Sequence, residues 1–335
     1  MLGKWYLGTH YFAFMIMKKI IMLSLMLWSV LCYGQKWERV LVATEDPYDL
    51  YASFEKDSTT LFYEKLVPKN KPNGVLVIMP GGGERLDDVK KQITLDNLAI
   101  QKGLLVIIPS INWGTNKGDA EHKFLDKIFT QVVQQHKVSK DRFVLGGFSG
   151  GAMLSLTYAE KANRSTNSTF VIPKAVFGVD PPLDYVHLWN HSKNDLERNV
   201  SQVAVQEAKW IMDSYIKEFG GSPEEYPENY IKYSIYSHSQ RDGGNAKYLI
   251  NTPVLLYTEP DIMWQMKNRQ RDYYDMNCSD IAAMINFLQL QGNKQAQIVV
   301  TSNKGRRING TKHPHSWSIM DSEHCLNWIL KQLNQ

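Results

Sequence analysis

The chain has 335 residues, of which 43% are hydrophobic, 21% charged and 11% aromatic. That composition excludes a disordered, collagenous or coiled-coil chain and suffices for one large α/β domain or two ordinary ones. The formal net charge is +4, but Lys4, Lys18 and Lys19 are the only formally charged residues among the first 34, which leaves 35 bases against 34 acids in the remainder. With no basic run, recognition-helix pattern or RNA-binding aromatic motif, nucleic acid is not an expected partner.

Taken in chain order, Met17-Lys18-Lys19 precedes the apolar run Ile20 to Tyr33 and the small residue Gly34. This reads as a signal peptide over residues 1–34, with translation starting at Met17, cleavage before Gln35 and export to the periplasm or medium. The run is shorter than a spanning helix needs, so no stable membrane insertion is expected after cleavage; an uncleaved anchor is the competing reading. A lipoprotein at Cys32 is disfavoured by Leu31 before it. The other cysteines, Cys278 and Cys325, suit either one disulfide in an exported chain or two small buried apolar residues. No ligand-spaced Cys/His set points to a structural metal.

Residues 37–43 and 59–67, rich in β-branched and aromatic side chains, predict an antiparallel pair of strands. The continuous apolar runs Gly74–Pro80, Gly103–Pro109, Arg142–Gly146 and Lys174–Val179 predict strands buried on both faces. Helical spacing falls between them, over Leu86–Gln101, Lys123–His136 and Gly150–Asn163. The alternation predicts a mostly parallel sheet with helices on both faces. It breaks over residues 181–250, read as a lid or insertion with one long helix over Leu196–Phe219, and resumes with Pro253–Thr258, Ser279–Leu290, Gln297–Thr301 and Asp321–Leu333.

Gly147-Phe148-Ser149-Gly150-Gly151 is a GxSxG between a buried strand and a helix. Glycines there permit the tight turn that exposes a serine hydroxyl at the carboxyl edge of a sheet. On this motif and its setting, residues 35–335 resemble the α/β-hydrolase superfamily, and in particular secreted serine esterases. The resemblance implies an α/β-hydrolase fold with Ser149 as nucleophile, an acid after a later strand, and a histidine before the last helix. Asp261, in Tyr257-Thr-Glu-Pro-Asp261, is the first choice for the acid, with Asp180 and Asp184 after the preceding strand as rivals and Glu259 disfavoured. His315, in His313-Pro-His-Ser-Trp317, is the expected base, and His313 its alternative.

The oxyanion hole is expected from the N–H of Gly150 and from the loop Pro80-Gly81-Gly82-Gly83-Glu84, with Gly82 and Gly83 favoured but the donor among the three glycines open. Trp113, Trp264 and Trp317 are candidate substrate contacts, and the aromatics of residues 233–244 suit either a cleft or the insertion's own core. The expected function is hydrolysis of a small-molecule or glycan ester through an acyl-enzyme, without cofactor or metal. A serine exopeptidase or amidase and a non-catalytic binding protein on the same scaffold are the alternatives.

Overall fold

The computed structural model describes residues 35–43, 61–112, 117–165 and 167–334. The expectations for residues 1–34 and for Trp113 lie outside the described residues. Eight strands form one sheet: β1 (Glu38–Val42), β2 (Leu61–Leu66), β3 (Gly74–Met79), β4 (Leu104–Pro109), β5 (Phe143–Phe148), β6 (Ala175–Val179), β7 (Val254–Thr258) and β8 (Ala296–Val300). Their order across the sheet is β1-β2-β4-β3-β5-β6-β7-β8. β2 runs antiparallel to β1 and β4, and every other pair is parallel.

Side chains alternate between the faces of a strand, and β3 shows why its residues are uniformly apolar. Leu76 and Ile78 pack on one side with the helices α1 (Leu86–Gln92), α2 (Leu95–Gln101) and the C-terminal α10 (Ser322–Leu333). Val75, Val77 and Met79 pack on the other with α3 (Asp119–His136) and with Tyr158 of α4 (Gly150–Arg164). Further along that second face, Val254 and Leu256 meet α9 (Asn277–Leu290) through Ile281, Met284 and Leu288.

Two helices expected as single elements are each divided. Residues 86–101 break at Ile93, whose extended φ of −119° and ψ of 158° end α1 before Thr94 begins α2. The helix expected over Leu196–Phe219 straddles a second break: its first residues end α5 (Tyr185–Arg198), and the rest form α6 (Gln202–Phe219). Asn199 closes α5 in the left-handed region at φ 49°, and the Ser201 hydroxyl accepts the Ala204 N–H to open α6. Asn tolerates that conformation and Ser suits an N-cap, so the break has a local cause.

With α7 (Pro227–Tyr233), these helices make the segment inserted between β6 and β7. Its aromatics are its own core: Tyr185, Trp189, Tyr215, Phe219 and Tyr230 cluster together, and Tyr233 stacks on Phe219 at 5.5 Å. Cys278 and Cys325 are free thiols, so no disulfide joins them.

The insertion is tied to α9 by charge. Asp280, 2% exposed, accepts from His187 Nδ1 at 2.7 Å and from His238 Nε2 at 2.9 Å. His187 Nε2 also contacts the Tyr274 carbonyl. Donating from both ring nitrogens requires the imidazolium. Burial alone would depress His187, but the hydrogen bond and charge of Asp280 outweigh it and hold it above the ordinary 6.5. The Asp280 hydrogen bond raises His238 likewise.

Histidines raised in the folded state contribute stability in full below their unfolded pKa and lose it as pH rises through the folded value. Asp280, whose pKa the two histidines hold below its usual range against the effect of burial, keeps its contribution above the acid range. The excess Tm of the native chain over His187→Gln is therefore expected to be largest near about pH 6 and to shrink toward about pH 9. Calorimetry of both proteins across that range checks it; a difference independent of pH would remove the imidazolium.

Candidate active site

The site is built at the carboxyl ends of the central strands. Ser149 follows β5 with φ 51° and ψ −119°, a conformation unfavourable for a residue with a Cβ. Close packing holds it. A Cβ at Gly151 would stand 2.3 Å from the Pro80 carbonyl oxygen and 2.4 Å from that of Met79, and one at Gly147 would stand 2.7 Å from the latter. Only glycine lets the start of α4 sit this near the end of β3. The Ser149 N–H donates to the Val179 carbonyl at 2.9 Å, and the Ser149 carbonyl accepts from Met153 at 3.1 Å, which carries the strand directly into the helix.

His315 stands between Ser149 and Asp180. Its Nε2 lies 3.1 Å from Ser149 Oγ and its Nδ1 2.6 Å from Asp180 Oδ2. A carboxylate only accepts, so Nδ1 carries the proton and Nε2 accepts from the serine hydroxyl. Asp180 directly follows β6, and its Oδ1 accepts from Thr258 Oγ1 at 2.7 Å. Its backbone, at φ 50°, is held by its own N–H to the Tyr257 carbonyl at 2.8 Å and by Asn277 Nδ2 on its carbonyl at 2.9 Å.

The expectation for Asp261 is therefore corrected, because its carboxylate is engaged elsewhere. Oδ1 caps α8 (Ile262–Arg269) by accepting the Trp264 N–H at 3.0 Å, and Oδ2 pairs with Lys312 at 2.5 Å. The Lys312 hydrogen bond holds its pKa below the usual range. Asp184 caps α5, accepting from Val186 at 2.9 Å and His187 at 3.3 Å, and also accepts the His238 N–H at 2.8 Å. Glu259, 3% exposed, accepts from Thr301 Oγ1 and from the Lys304 and Gly305 N–H groups, and so anchors the start of the loop that carries His315.

His313 is the second support of that loop. Its Nδ1 lies 3.0 Å from the His315 carbonyl, and its Nε2 faces Arg269 Nη2 at 3.3 Å and Arg307 Nη2 at 3.4 Å. Burial, reinforced by the nearby positive charges, lowers its pKa to about 2. It is a neutral ring that donates to a carbonyl and accepts from two guanidinium groups, which sets it apart from the base position.

Of the three loop glycines, Gly81 donates its N–H to Glu84 Oε2 at 2.9 Å and Gly83 to the Asn112 carbonyl at 2.7 Å. The expectation for Gly83 is corrected on that ground. Among the described residues, Gly82 is the one whose N–H takes no protein acceptor, and that nitrogen lies 3.7 Å from where a Cβ on Gly150 would stand. Gly150 is the first residue of α4, where an N–H has no intrahelical acceptor. The two free donors thus sit together beside Ser149.

Glu84, which sequence reasoning left unassigned, holds this loop. Its carboxylate accepts from Gly81, from Gln92 Nε2 at 2.6 Å and from Trp317 Nε1 at 2.9 and 3.0 Å. Burial pushes its carboxyl above the usual carboxylate range, and these hydrogen bonds and the charge of Arg307 pull it back. Trp317 is consequently not a substrate contact: it is 1% exposed and packs on Phe148, which in turn lies 4.5 Å from the His315 ring. Trp264 is half-buried against His313, with ring centroids 4.6 Å apart. A buried indole N–H needs an acceptor, and the single acid after the glycine run was the available signal.

No protein-family model matches the chain, and no curated protein matches it by sequence. Solved structures do match by shape. An acylaminoacyl peptidase of Pyrococcus horikoshii aligns at TM-score 0.51 and 13% identity over 92% of this chain, which spans only 42% of that protein's length. An S-formylglutathione hydrolase from Agrobacterium tumefaciens aligns at 0.52 and 12% over 90% of this chain and 97% of that one. A fungal esterase of Rhizomucor miehei aligns at 0.50 and 12% over 90% and 83%.

The packing at the turn makes a stability prediction. Gly151→Ala is expected to cost about 1–3 kcal/mol or more, because its Cβ meets backbone oxygens that cannot move aside. A Cβ on Gly150 would meet nothing nearer than the Gly82 nitrogen at 3.7 Å, and Gly150→Ala is expected to change stability by less than about 1 kcal/mol. Urea midpoints of the two variants check this, and equal losses would contradict the geometry. The strand order, the turn at Ser149 and the structural matches together establish that the chain has the α/β-hydrolase fold.

Proposed function

We propose that the chain is a serine hydrolase acting on carboxylic esters, with Ser149 as nucleophile, His315 as general base and acid, and Asp180 as the carboxylate that orients it. The observation that supports this most is the continuous chain from Ser149 Oγ through His315 to Asp180 Oδ2, at 3.1 and 2.6 Å. As Oγ attacks the carbonyl, His315 Nε2 takes its proton, and Asp180 fixes the tautomer and stabilises the imidazolium. The Gly82 and Gly150 N–H groups bind the developing oxyanion, aided by the amino end of α4. His315 then protonates the leaving oxygen, and water, activated by the same imidazole, hydrolyses the acyl-enzyme.

A second reading, amide hydrolysis, draws support from the similarity to the acylaminoacyl peptidase. Comparing p-nitrophenyl acetate with aminoacyl p-nitroanilides separates the two, and failure of a fluorophosphonate to label Ser149 would favour a binding protein. We carry export to the periplasm or medium as part of the proposal, on Lys18, Lys19 and the apolar run before Gly34. Intact mass of exported protein is expected to begin at or near Gln35; a retained amino terminus would favour an anchor.

The assignment of the acid gives the central kinetic test. Ser149→Ala is expected to lower kcat/KM by several powers of ten at nearly unchanged Tm. Asp180→Asn should keep the fold but favour the wrong imidazole tautomer, with a loss of up to about 10⁴-fold. Asp261→Asn should lose only a partly exposed ion pair, within about 1 kcal/mol of stability, and stay within a few-fold of native activity. An inactive, folded Asp261→Asn beside an active Asp180→Asn would reverse the assignment.

A further inference from the structure

We propose that Arg269 and Arg307 form a carboxylate-binding subsite beside Ser149 and His315, so that the preferred substrates are esters bearing a negative charge. The proposal rests on the hydrolase reading above and narrows its substrate class.

Two guanidinium groups converge here on one neutral acceptor. Arg269 Nη2 and Arg307 Nη2 reach His313 Nε2 at 3.3 and 3.4 Å, both long for such bonds. Arg269 is 8% exposed, and among the described residues its one carboxylate within ion-pair distance is Glu207 Oε2, at 3.8 Å on a side chain that is itself 54% exposed. Arg307 is half-buried and, among the described residues, pairs with no carboxylate. Burial of a cation is costly unless an anion compensates it.

Nearby arginines show what compensation looks like in this protein. Arg271 binds Asp195 through both Nε and Nη2, and Arg198 pairs with Asp275 at 2.5 Å. Arg269 and Arg307 have no such close partner: burial lowers both, the charges of Arg271 and Arg307 lower Arg269 further, and more distant carboxylates act in the opposite sense, Glu207 on both, Asp195 on Arg269 and Glu84 on Arg307. A guanidinium pair left this way is a fork for a planar, bidentate anion.

The position is that of a substrate subsite. His313 is two residues from His315 and bonds to its carbonyl at 3.0 Å, and the positive charge of Arg307 also acts on Glu84 under the oxyanion loop. Arg269 and Arg307 therefore adjoin the loop that carries His315, and Arg307 is near enough to Glu84 for their charges to interact. The Trp264 ring, against His313 at 4.6 Å and 5.8 Å from the Arg269 guanidinium, supplies an apolar wall on the same side. A carboxylate held there would supply the close counter-charge that Glu207, at 3.8 Å from Arg269, provides only in part, while its ester carbonyl sits at Ser149.

The experiment uses the intact chain and two substrate pairs of matched size: p-acetoxybenzoate against p-acetoxybenzamide, and p-nitrophenyl hydrogen glutarate against p-nitrophenyl butyrate. In at least one pair the anionic ester is expected to have the higher kcat/KM by about 10-fold or more, the size of effect expected of a charge-assisted bidentate contact. Arg307→Gln and Arg269→Gln should each reduce that ratio by about 10-fold, and Arg307→Lys should restore part of it. Free glutarate should slow fluorophosphonate labelling of Ser149 in the native chain, a measurement that needs no variant to fold. Labelling of Ser149 without any anionic preference, without protection by glutarate, or with a preference that survives both substitutions, would overturn the subsite and leave the hydrolase reading standing. Absence of labelling and of all ester turnover would instead overturn the hydrolase reading on which it rests.

Discussion

The contact between the first turn of α4 and the last residues of β3 governs the arrangement of the site. Gly147 and Gly151 lie so near the Met79 and Pro80 carbonyls that no side chain fits, and this proximity forces Ser149 into its left-handed conformation. A strained residue persists only where its surroundings over-determine it. Here the strain places the hydroxyl clear of both strand and helix, and the same close approach brings the loop after β3 alongside Gly150. One packing constraint thus positions both the Ser149 hydroxyl and the N–H groups that, in the proposed reaction, would receive the developing charge.

The sheet register supplies the second coordinate. Phe148 pairs with Val179 in the parallel ladder, so the next residues of the two strands, Ser149 and Asp180, emerge side by side. Histidine must then be brought between them from a loop more than a dozen residues past β8, and nothing in that loop's own backbone ensures its position. Three carboxylate and ring contacts do: buried Glu259 holds Lys304 and Gly305, half-buried His313 holds the His315 carbonyl, and half-buried Glu84 ties Trp317 to the loop of Gly82. Because Glu84 serves both loops, the base and the oxyanion donors share a support, and a buried polar network that is fully bonded rigidifies its members together.

What could be read from the sequence follows the range of the interactions. The elbow around Ser149 is a five-residue pattern, and the buried strands are local apolar runs, so both were legible. The place of His315 beside Ser149 was legible because its loop precedes the final helix. The carboxylate it meets was not. Choosing between Asp180 and Asp261 requires knowing that β6 lies next to β5 while β7 lies one strand further out, and that Lys312, distant in sequence, reaches Asp261. The same holds for Trp317, which reads as an exposed aromatic until its indole N–H is seen on Glu84, and for Gly83, whose N–H is taken by the Asn112 carbonyl. The divided helices had local signals in Ile93-Thr94 and in Asn199 with Ser201, but amphipathic periodicity on both sides of each break concealed them.

The inserted segment is bound to this scaffold by charge as well as by apolar packing. Ile235 and Leu249 pack with Ile281 and Met284 of α9, while Asp280 between two histidines holds α5 and the segment after α7 to the same helix, and α6 meets α8 through Glu207 and Arg269. Apolar packing does not titrate, while ion pairs respond to pH and are screened by salt. A substrate carboxylate that engaged Arg269 would also weaken that residue's hold on Glu207, since one guanidinium cannot satisfy both fully. Arg269 is thus the one residue of the proposed subsite that also contacts α6, whose main hold is the packing of Ile211, Tyr215 and Phe219.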